Sequence, residues 1–261
     1  EHAIALSAAL AMLVPLGVYL GATTQRLRWW LATAALGIGA LAAVSRTGVL
    51  MLIVVALVFL CVKLSDTRRF LPALIPILVA VHFAMPGTLG TLKESFFPPG
   101  GLVEEQSVRS VVPGQQGGGR LADVAPSLGV WWERPLVGQG FGTRVVTYDS
   151  GTNQVPNAII LDNQWLAALL ETGAVGVLAL AWLFIRFLKL TLSESRRDLS
   201  PRGWLLAAVS ASVASLAVGM FVFDALSFVQ IAFLLFILLG IGAVVLQRDY
   251  EKPHLLPVKL D

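Results

Sequence analysis

Seven apolar stretches, interrupted once by a long polar segment, constrain this 261-residue chain more than any other feature. A membrane core of about 30 Å needs roughly 20 apolar residues in a helix, and unpaired backbone groups cannot face lipid. The pattern predicts an all-α fold, a polytopic transmembrane helical bundle of about seven spans with one long loop. The predicted spans cover residues 3–20, 29–44, 49–64, 70–85, 166–188, 204–223 and 228–246.

The composition excludes an ordinary soluble domain. Hydrophobic residues make up 56% of the chain and charged residues 13%, whereas soluble domains carry about a quarter charged residues. The single cysteine, Cys61, lies in an apolar run and has no second cysteine with which to form an internal disulfide.

The distribution of basic residues predicts one orientation for all the spans. Alternate gaps between spans hold most of the 19 basic residues, and such gaps face the cytoplasm. Residues 86–162 then form an extracytoplasmic loop, between four transmembrane helices in 1–85 and three in 163–247, and 248–261 is a cytoplasmic tail. The basic residues on the predicted cytoplasmic side are Arg26, Arg28, Lys63, Arg68, Arg69, Arg186, Lys189, Arg196, Arg197, Arg202, Arg248, Lys252 and Lys259.

The long loop has two parts of different character. Residues 86–119 are rich in proline and glycine and show little apolar periodicity. Apolar residues then recur at helical spacing over 120–133, which predicts a short amphipathic helix that Arg134-Pro135 ends. Three alternate glycines at 138, 140 and 142 lack the Lys-Ser/Thr pair of a phosphate-binding loop, so a tight structural turn is the favoured interpretation.

Three arginines of the predicted outer side could bind an anion. Arg46 stands in a tight turn between two apolar spans, where it is either an interfacial anchor, a salt-bridge partner or a clamp for phosphate. Arg120 and Arg144 could fold back over it, or remain solvated surface charges. Aromatic residues of the same loop, Trp131, Trp132 and Tyr148, suit the apolar faces of sugars. This combination fits an anionic, sugar-bearing lipid.

Asp162 is the candidate base, because a carboxylate beside arginines stays ionised and can accept a proton from a sugar hydroxyl. It is also placed to cap the next helix, and the adjacent Asn163 is a candidate glycan contact. Glu171, inside an apolar run, is expected to pair with an arginine, and Asp224 to play a similar supporting role. The sequence has no Cys/His cluster with metal-ligand spacing and no basic run of the nucleic-acid-binding kind, so neither a cofactor nor a nucleic-acid partner is expected.

Short motifs follow one another along the chain in a distinctive order. They are Val44-Ser-Arg46-Thr-Gly48, Gly119-Arg120, Trp131-Trp132, Arg134-Pro-Leu-Val-Gly138-Gln-Gly140, Asp162-Asn163-Gln-Trp-Leu166 and Glu171-Thr-Gly173. Together with the long loop, this order resembles the O-antigen ligase / O-antigen polymerase family.

The resemblance implies a membrane glycosyltransferase of the GT-C kind in the bacterial cytoplasmic (inner) membrane. Its donor would be an oligosaccharide on undecaprenyl diphosphate, its acceptor a glycan or lipid, and polysaccharide-assembly proteins are possible partners. By the motif match, Arg46 and Arg120 would hold the diphosphate, with Arg144 a weaker match. Family ligases carry a histidine where this chain has Asp162. Family members usually have about a dozen spans, so we expect further N-terminal helices before this sequence.

Two other functions are compatible with the same residues. A transporter or flippase of lipid-linked glycans would use the same basic outer site, although transporters tend to show inverted repeats and broken helices. A non-catalytic scaffold of envelope assembly would bind a protein partner through the loop. The sequence favours neither polymerase nor ligase.

Overall fold

The computed structural model describes residues 3–43, 45–63, 124–143, 146–147, 158–159 and 161–247. Two short strands within this part form an antiparallel pair, and the other regular elements are helices. In chain order the elements are α1 (Ala3–Thr24), α2 (Leu27–Ala42), α3 (Arg46–Val62), α4 (Val124–Glu133), β1 (Val146–Thr147), β2 (Ala158–Ile159), α5 (Gln164–Arg197), α6 (Pro201–Gly219), a 3₁₀ turn (Ala225–Ser227) and α7 (Val229–Gln247).

The predicted all-α membrane bundle is confirmed. Helices α1, α5, α6 and α7 are long and apolar enough to cross a membrane, and α2 and α3 are shorter apolar helices. Each of these six coincides with a span predicted from the sequence. The seventh predicted span, 70–85, lies outside the described residues, as do the tail 248–261 and most of the loop 86–162.

Small residues allow α1 to approach its neighbours closely. A Cβ atom added at Gly48 in α3 would lie 2.9 Å from the Cβ of Ser7 in α1, and one added at Gly21 would lie 2.7 Å from the indole ring of Trp30 in α2. Because lipid removes the hydrophobic advantage of helix association, close backbone packing of this kind supplies much of the attraction between membrane helices.

Helix α6 lies in the centre of the bundle. It has the largest buried share, 67%, of the four long apolar helices. Serine hydroxyls connect it to its neighbours: the Oγ of Ser212 donates to the carbonyl of Met12 in α1 at 2.7 Å, and the Oγ of Ser210 donates to the Oγ1 of Thr191 in α5 at 2.7 Å. Buried hydroxyls of this kind are satisfied across helices because no water reaches them.

The helices define two ends of the bundle. At one end, the Nζ of Lys63, just after α3, donates to the carbonyls of Ser195 at 2.8 Å and Asp198 at 2.6 Å. At the other end, the backbone amide of Gln164 donates to the carbonyl of Met220 at 2.8 Å. We call these the Lys63 end and the Arg46 end, because α3 begins at Arg46 and runs antiparallel to α6.

Lys63 is a buried cation that closes the Lys63 end. It is 3% exposed, and its ammonium group lies 5.7 Å from the ring centroid of Trp204. Its two acceptors are carbonyls at the C-terminal end of α5, where free carbonyl groups and the helix dipole favour a positive charge. This side chain therefore holds α3 against the junction of α5 and α6.

We predict that Lys63→Met destabilises the protein by about 1–3 kcal/mol, because one buried and one partly buried carbonyl lose their donor. The measurement is the thermal unfolding midpoint of detergent-purified protein. Lys189→Met is the matched control, since Lys189 is exposed on α5. Equal midpoints for the two variants would contradict the structural role given to Lys63.

A carboxylate between α5 and α6, that of Asp198, makes the stability of the fold depend on pH. The pKa of Asp198 lies below its ordinary value of 3.8, chiefly because the Ser200 side chain donates a hydrogen bond to the carboxylate. The backbone amide of Ser200 and the guanidinium of Arg202 lower this pKa further, and partial burial opposes them. The Nη1 of Arg202 lies 3.1 Å from the Oδ2 of Asp198. The charged form is therefore the one that stabilises the fold, fully above pH 3.8 and progressively less as pH falls through the lowered pKa.

Asp198→Asn should accordingly lower the unfolding midpoint at pH 7, and the gap to the unmodified protein should narrow as the pH falls below 3.8. Thermal scans between pH 7 and pH 3 measure this. A gap that stays constant over that range would show that the charge of Asp198 does not contribute.

Candidate functional site

Helix α5 is broken at Gly173. The backbone there has φ 65° and ψ −167°, which divides α5 into a first segment, 164–172, and a second segment, 174–197. The rings of Trp165 and Phe184 lie 5.9 Å apart, although a straight helix would separate these positions by roughly 28 Å along its axis. The first segment therefore folds back against the second. The sequence prediction of one uninterrupted span over 166–188 is wrong on this point, because Gly173 takes a left-handed conformation that ends the helix.

Residues 134–143, which we call the docked turn, fill the break in α5. A broken helix leaves carbonyls free at one side and amides free at the other, and lipid cannot satisfy them. The docked turn supplies both kinds of partner. The bonds run from Gln139 N to Leu170 O (2.7 Å), Gly140 N to Glu171 O (3.0 Å), Ala174 N to Pro135 O (2.9 Å) and Val175 N to Leu136 O (3.2 Å).

Two glycines make this contact possible. A Cβ atom added at Gly138 would lie 2.5 Å from the carbonyl oxygen of Leu170, and one added at Gly173 would collide with the carbonyl of Leu136. Both residues also have positive φ, at 70° and 65°. Gly140 and Gly142 share the positive φ, so the prediction that the alternate glycines form a structural turn is confirmed.

A buried carboxylate secures the far side of the docked turn. Glu171 is 8% exposed, and its Oε1 accepts from the backbone amide of Gly142 at 3.0 Å. The expected arginine is not its partner among the described residues, because the glycine turn brings a backbone donor to the carboxylate instead. The Nε2 of Gln139 donates to the carbonyl of Val130 at 3.0 Å and thereby connects the turn to α4.

Helix α4 carries two adjacent tryptophans that differ in their exposure. It ends at Glu133, directly before Arg134-Pro135 as predicted, and residues 120–123 of the predicted helix lie outside the described part. Trp131 is half-buried and donates from Nε1 to the carbonyl of Pro135 at 2.9 Å. Trp132 is 72% exposed. Of these two tryptophans, both predicted to contact the glycan, Trp132 therefore has the exposed surface, and Trp131 supports the docked turn.

The residue that caps the start of α5 is not Asp162, which the sequence predicted. Asn163 is the N-cap residue, and its Oδ1 accepts from the backbone amide of Leu166 at 3.1 Å. The cap lies one residue later than predicted because Gln164 is fixed at the first helical position: its Oε1 accepts from the amide of Leu226 at 2.7 Å. Asp162 is exposed just before the cap, so its carboxylate is not used by the helix.

Arg46 opens α3 and is half-buried. Its neighbours Ser45 and Thr47 are buried, and within the described residues their hydroxyls have no hydrogen-bond partner.

Asp224 is buried in the turn after α6 and accepts a hydrogen bond from the hydroxyl of Ser227. This turn contacts Gln164, so Arg46, Asp162 and Asp224 all lie at the Arg46 end. Arg120, Arg144 and Tyr148 lie outside the described residues.

Comparison with known proteins identifies the family. A family model described as O-Antigen ligase matches residues 31–181, more than half of the chain. The chain belongs to the O-antigen ligase family. It is accordingly an integral membrane protein with the ligase- or polymerase-type membrane function of that family. No curated protein and no solved structure matches the chain.

The region that matches the O-antigen ligase family runs from α2 into the second segment of α5 and contains both Arg46 and Asp162. It also contains the docked turn and the break at Gly173. The sequence showed the two glycine motifs, around Gly138 and Gly173, but not that they contact each other. A glycine within an apolar run was the one local signal for the break.

We predict that Gly173→Ala destabilises this family member far more than Gly140→Ala. Both positions have positive φ, which costs an alanine about 1–3 kcal/mol, but only Gly173 also has backbone atoms in the place of a Cβ. The measurements are the thermal midpoint and amide hydrogen exchange at Gln139 and Gly140. Similar midpoints and unchanged exchange would contradict the docking of the turn.

Proposed function

We propose that this protein transfers an oligosaccharide from a lipid diphosphate carrier, of the undecaprenyl kind, to a glycan or lipid acceptor. The reaction would polymerise or ligate lipid-linked oligosaccharides at the outer face of the bacterial cytoplasmic membrane, in O-antigen or exopolysaccharide biosynthesis. The observation that carries this proposal is the shared position of Arg46 and Asp162 at one end of a bundle that belongs to the O-antigen ligase family.

The chemistry assigned to the site is a displacement at the anomeric carbon. An acceptor hydroxyl attacks that carbon and gives its proton to the carboxylate of Asp162, while the bond between the anomeric carbon and the diphosphate oxygen breaks. The departing diphosphate carries away the electron pair and gains negative charge. Arg46 is placed to stabilise that charge, as preorganised cations do for phosphoryl groups. A single displacement of this kind inverts the anomeric configuration.

The remaining predicted residues complete this proposal. Arg120 and Arg144 would join Arg46 around the diphosphate. The exposed Trp132 would contact the glycan, with Tyr148 and the amide nitrogen of Asn163, whose oxygen caps α5. Trp131 would act mainly through its hydrogen bond to the carbonyl of Pro135, which fixes the docked turn. The arginines would stabilise the leaving group without a cofactor.

The proposed orientation rests on the charges of the Lys63 end. Arg196 and Arg197 lie in the last turn of α5, and Arg202 lies at the start of α6. Basic residues of short connections face the cytoplasm, so the Arg46 end is assigned to the outer side. Lipid-linked glycans and polysaccharide-assembly proteins would meet the protein there.

The broken helix raises the transporter alternative again, because transporters bind substrates at such breaks. In this protein the amides and carbonyls at Gly173 are bonded to the docked turn. They are therefore not open to a substrate or a coupling ion, and the break does not favour transport. No observation favours a scaffold role.

The test is a transfer assay with purified protein and a lipid-diphosphate oligosaccharide, which measures the length of the glycan product. We expect Arg46→Ala to reduce turnover by about 10²-fold or more, since removing one stabilising group for a developing anion typically costs that much. Arg46→Lys should restore part of the activity, because it keeps the charge and loses the bidentate geometry. Asp162→Asn should reduce turnover by about 10²-fold or more, because an amide cannot accept the proton of the acceptor hydroxyl.

The matched control is Arg197→Ala, which removes an exposed arginine at the opposite end. Full activity in the Arg46→Ala, Arg120→Ala double variant would remove the proposed mechanism. Movement of the glycan between leaflets without a change in its length would favour a transporter.

A further inference from the structure

The docked turn presents apolar side chains on its outer surface. Phe141 is 93% exposed, Leu136 66% and Val137 69%; we call these three residues the apolar rim. Surface turns are usually polar, and clustered exposed apolar side chains mark a surface that contacts another apolar phase. The exposure is not the result of a loosely held loop, because four backbone hydrogen bonds and the Glu171 carboxylate fix the turn against α5.

The apolar rim continues a stripe on the second segment of α5. Val175, Leu178 and Trp182 are exposed and spaced as one face of that helix. On a helix long and apolar enough to cross a membrane, an exposed apolar stripe is the kind of surface that lipid contacts. The amide of Val175 donates to the carbonyl of Leu136 at 3.2 Å, so the rim begins where the stripe begins.

From this continuity we infer that the docked turn lies in the membrane–water boundary at the Arg46 end, with the apolar rim inserted among the lipids of the bilayer. Non-helical backbone is tolerated beside lipid only where its polar groups are satisfied by the protein. The docked turn meets this condition at the five groups that α5 pairs: the carbonyls of Pro135 and Leu136 and the amides of Gln139, Gly140 and Gly142. The segment that seals the helix break would thereby also anchor it at a fixed depth.

Fluorescence quenching in vesicles tests this placement directly. The single cysteine, Cys61, is replaced by serine, and Phe141→Cys is labelled with bimane. The protein is inserted in vesicles of phosphatidylcholine and phosphatidylglycerol, with or without phosphatidylcholine that carries a shallow nitroxide. Leu178→Cys provides the lipid-facing reference, and Arg197→Cys, at an exposed helix end, provides the aqueous reference.

We expect nitroxide lipid to quench Phe141→Cys to an extent close to that of Leu178→Cys and at least twofold more than that of Arg197→Cys. Aqueous iodide should give the opposite order. Val137→Cys should behave like Phe141→Cys, which guards against a local effect of one substitution. All of these positions are exposed, so the variants should fold.

Three outcomes would overturn the inference. Iodide quenching of Phe141→Cys equal to that of Arg197→Cys would place the rim in water. A large loss of nitroxide quenching after a small amount of unlabelled polyprenyl lipid is added would indicate a substrate-tail site instead. If the protection of labelled Phe141→Cys from iodide weakens when the protein is diluted in the vesicles, the apolar rim instead contacts another copy of this chain. None of these results depends on glycosyl transfer, so the proposed function stands or fails separately.

Discussion

The pairing of backbone groups at the break in α5 is the constraint on which the Arg46 end depends. A helix that stops inside an apolar run exposes amides and carbonyls, and each unpaired group in lipid costs several kcal/mol. The docked turn satisfies the groups that Gly173 releases, through bonds of 2.7–3.2 Å. Because these bonds are made to main-chain atoms, they fix the turn in one register and tie the end of the loop to the membrane bundle.

This pairing also sets the position of the candidate base. The first segment of α5 folds back so that Trp165 packs against Phe184 and donates from Nε1 to the carbonyl of Ala217 at 3.0 Å. Gln164 then contacts the turn after α6, and Asn163 caps the helix. Asp162 is thereby placed at the Arg46 end of the bundle and is exposed. A straight α5 would have carried the same residue far from α6.

The two ends of the bundle are stabilised in different ways. At the Lys63 end, a buried ammonium group and the pair Asp198–Arg202 satisfy the ends of α5 and α6. At the Arg46 end, the turn of Asp224 and Ser227 and the start of α3 retain buried polar groups, and the hydroxyls of Ser45 and Thr47 have no partner among the described residues. Buried polar groups left without partners are costly in a purely structural region. Ser45 and Thr47 flank Arg46, so these two unpaired hydroxyls lie beside the residue proposed to bind the diphosphate, and the Nε1 of Trp29 in α2 is a further unpaired group of the described residues.

The apolar pattern alone predicted the membrane class and the positions of the six apolar helices described, although not the break in α5, because the bilayer sets the length of each apolar run. It also indicated the end of α4 at Arg134-Pro135 and the turn at Gly138, since proline and glycine act on the local backbone. Three features required the folded structure: the partner of Glu171, the cap at Asn163 and the different surroundings of Trp131 and Trp132. Each of these depends on which backbone groups are brought together across the chain, and the left-handed conformation of Gly173, which brings them together, follows from contacts that no local pattern contains.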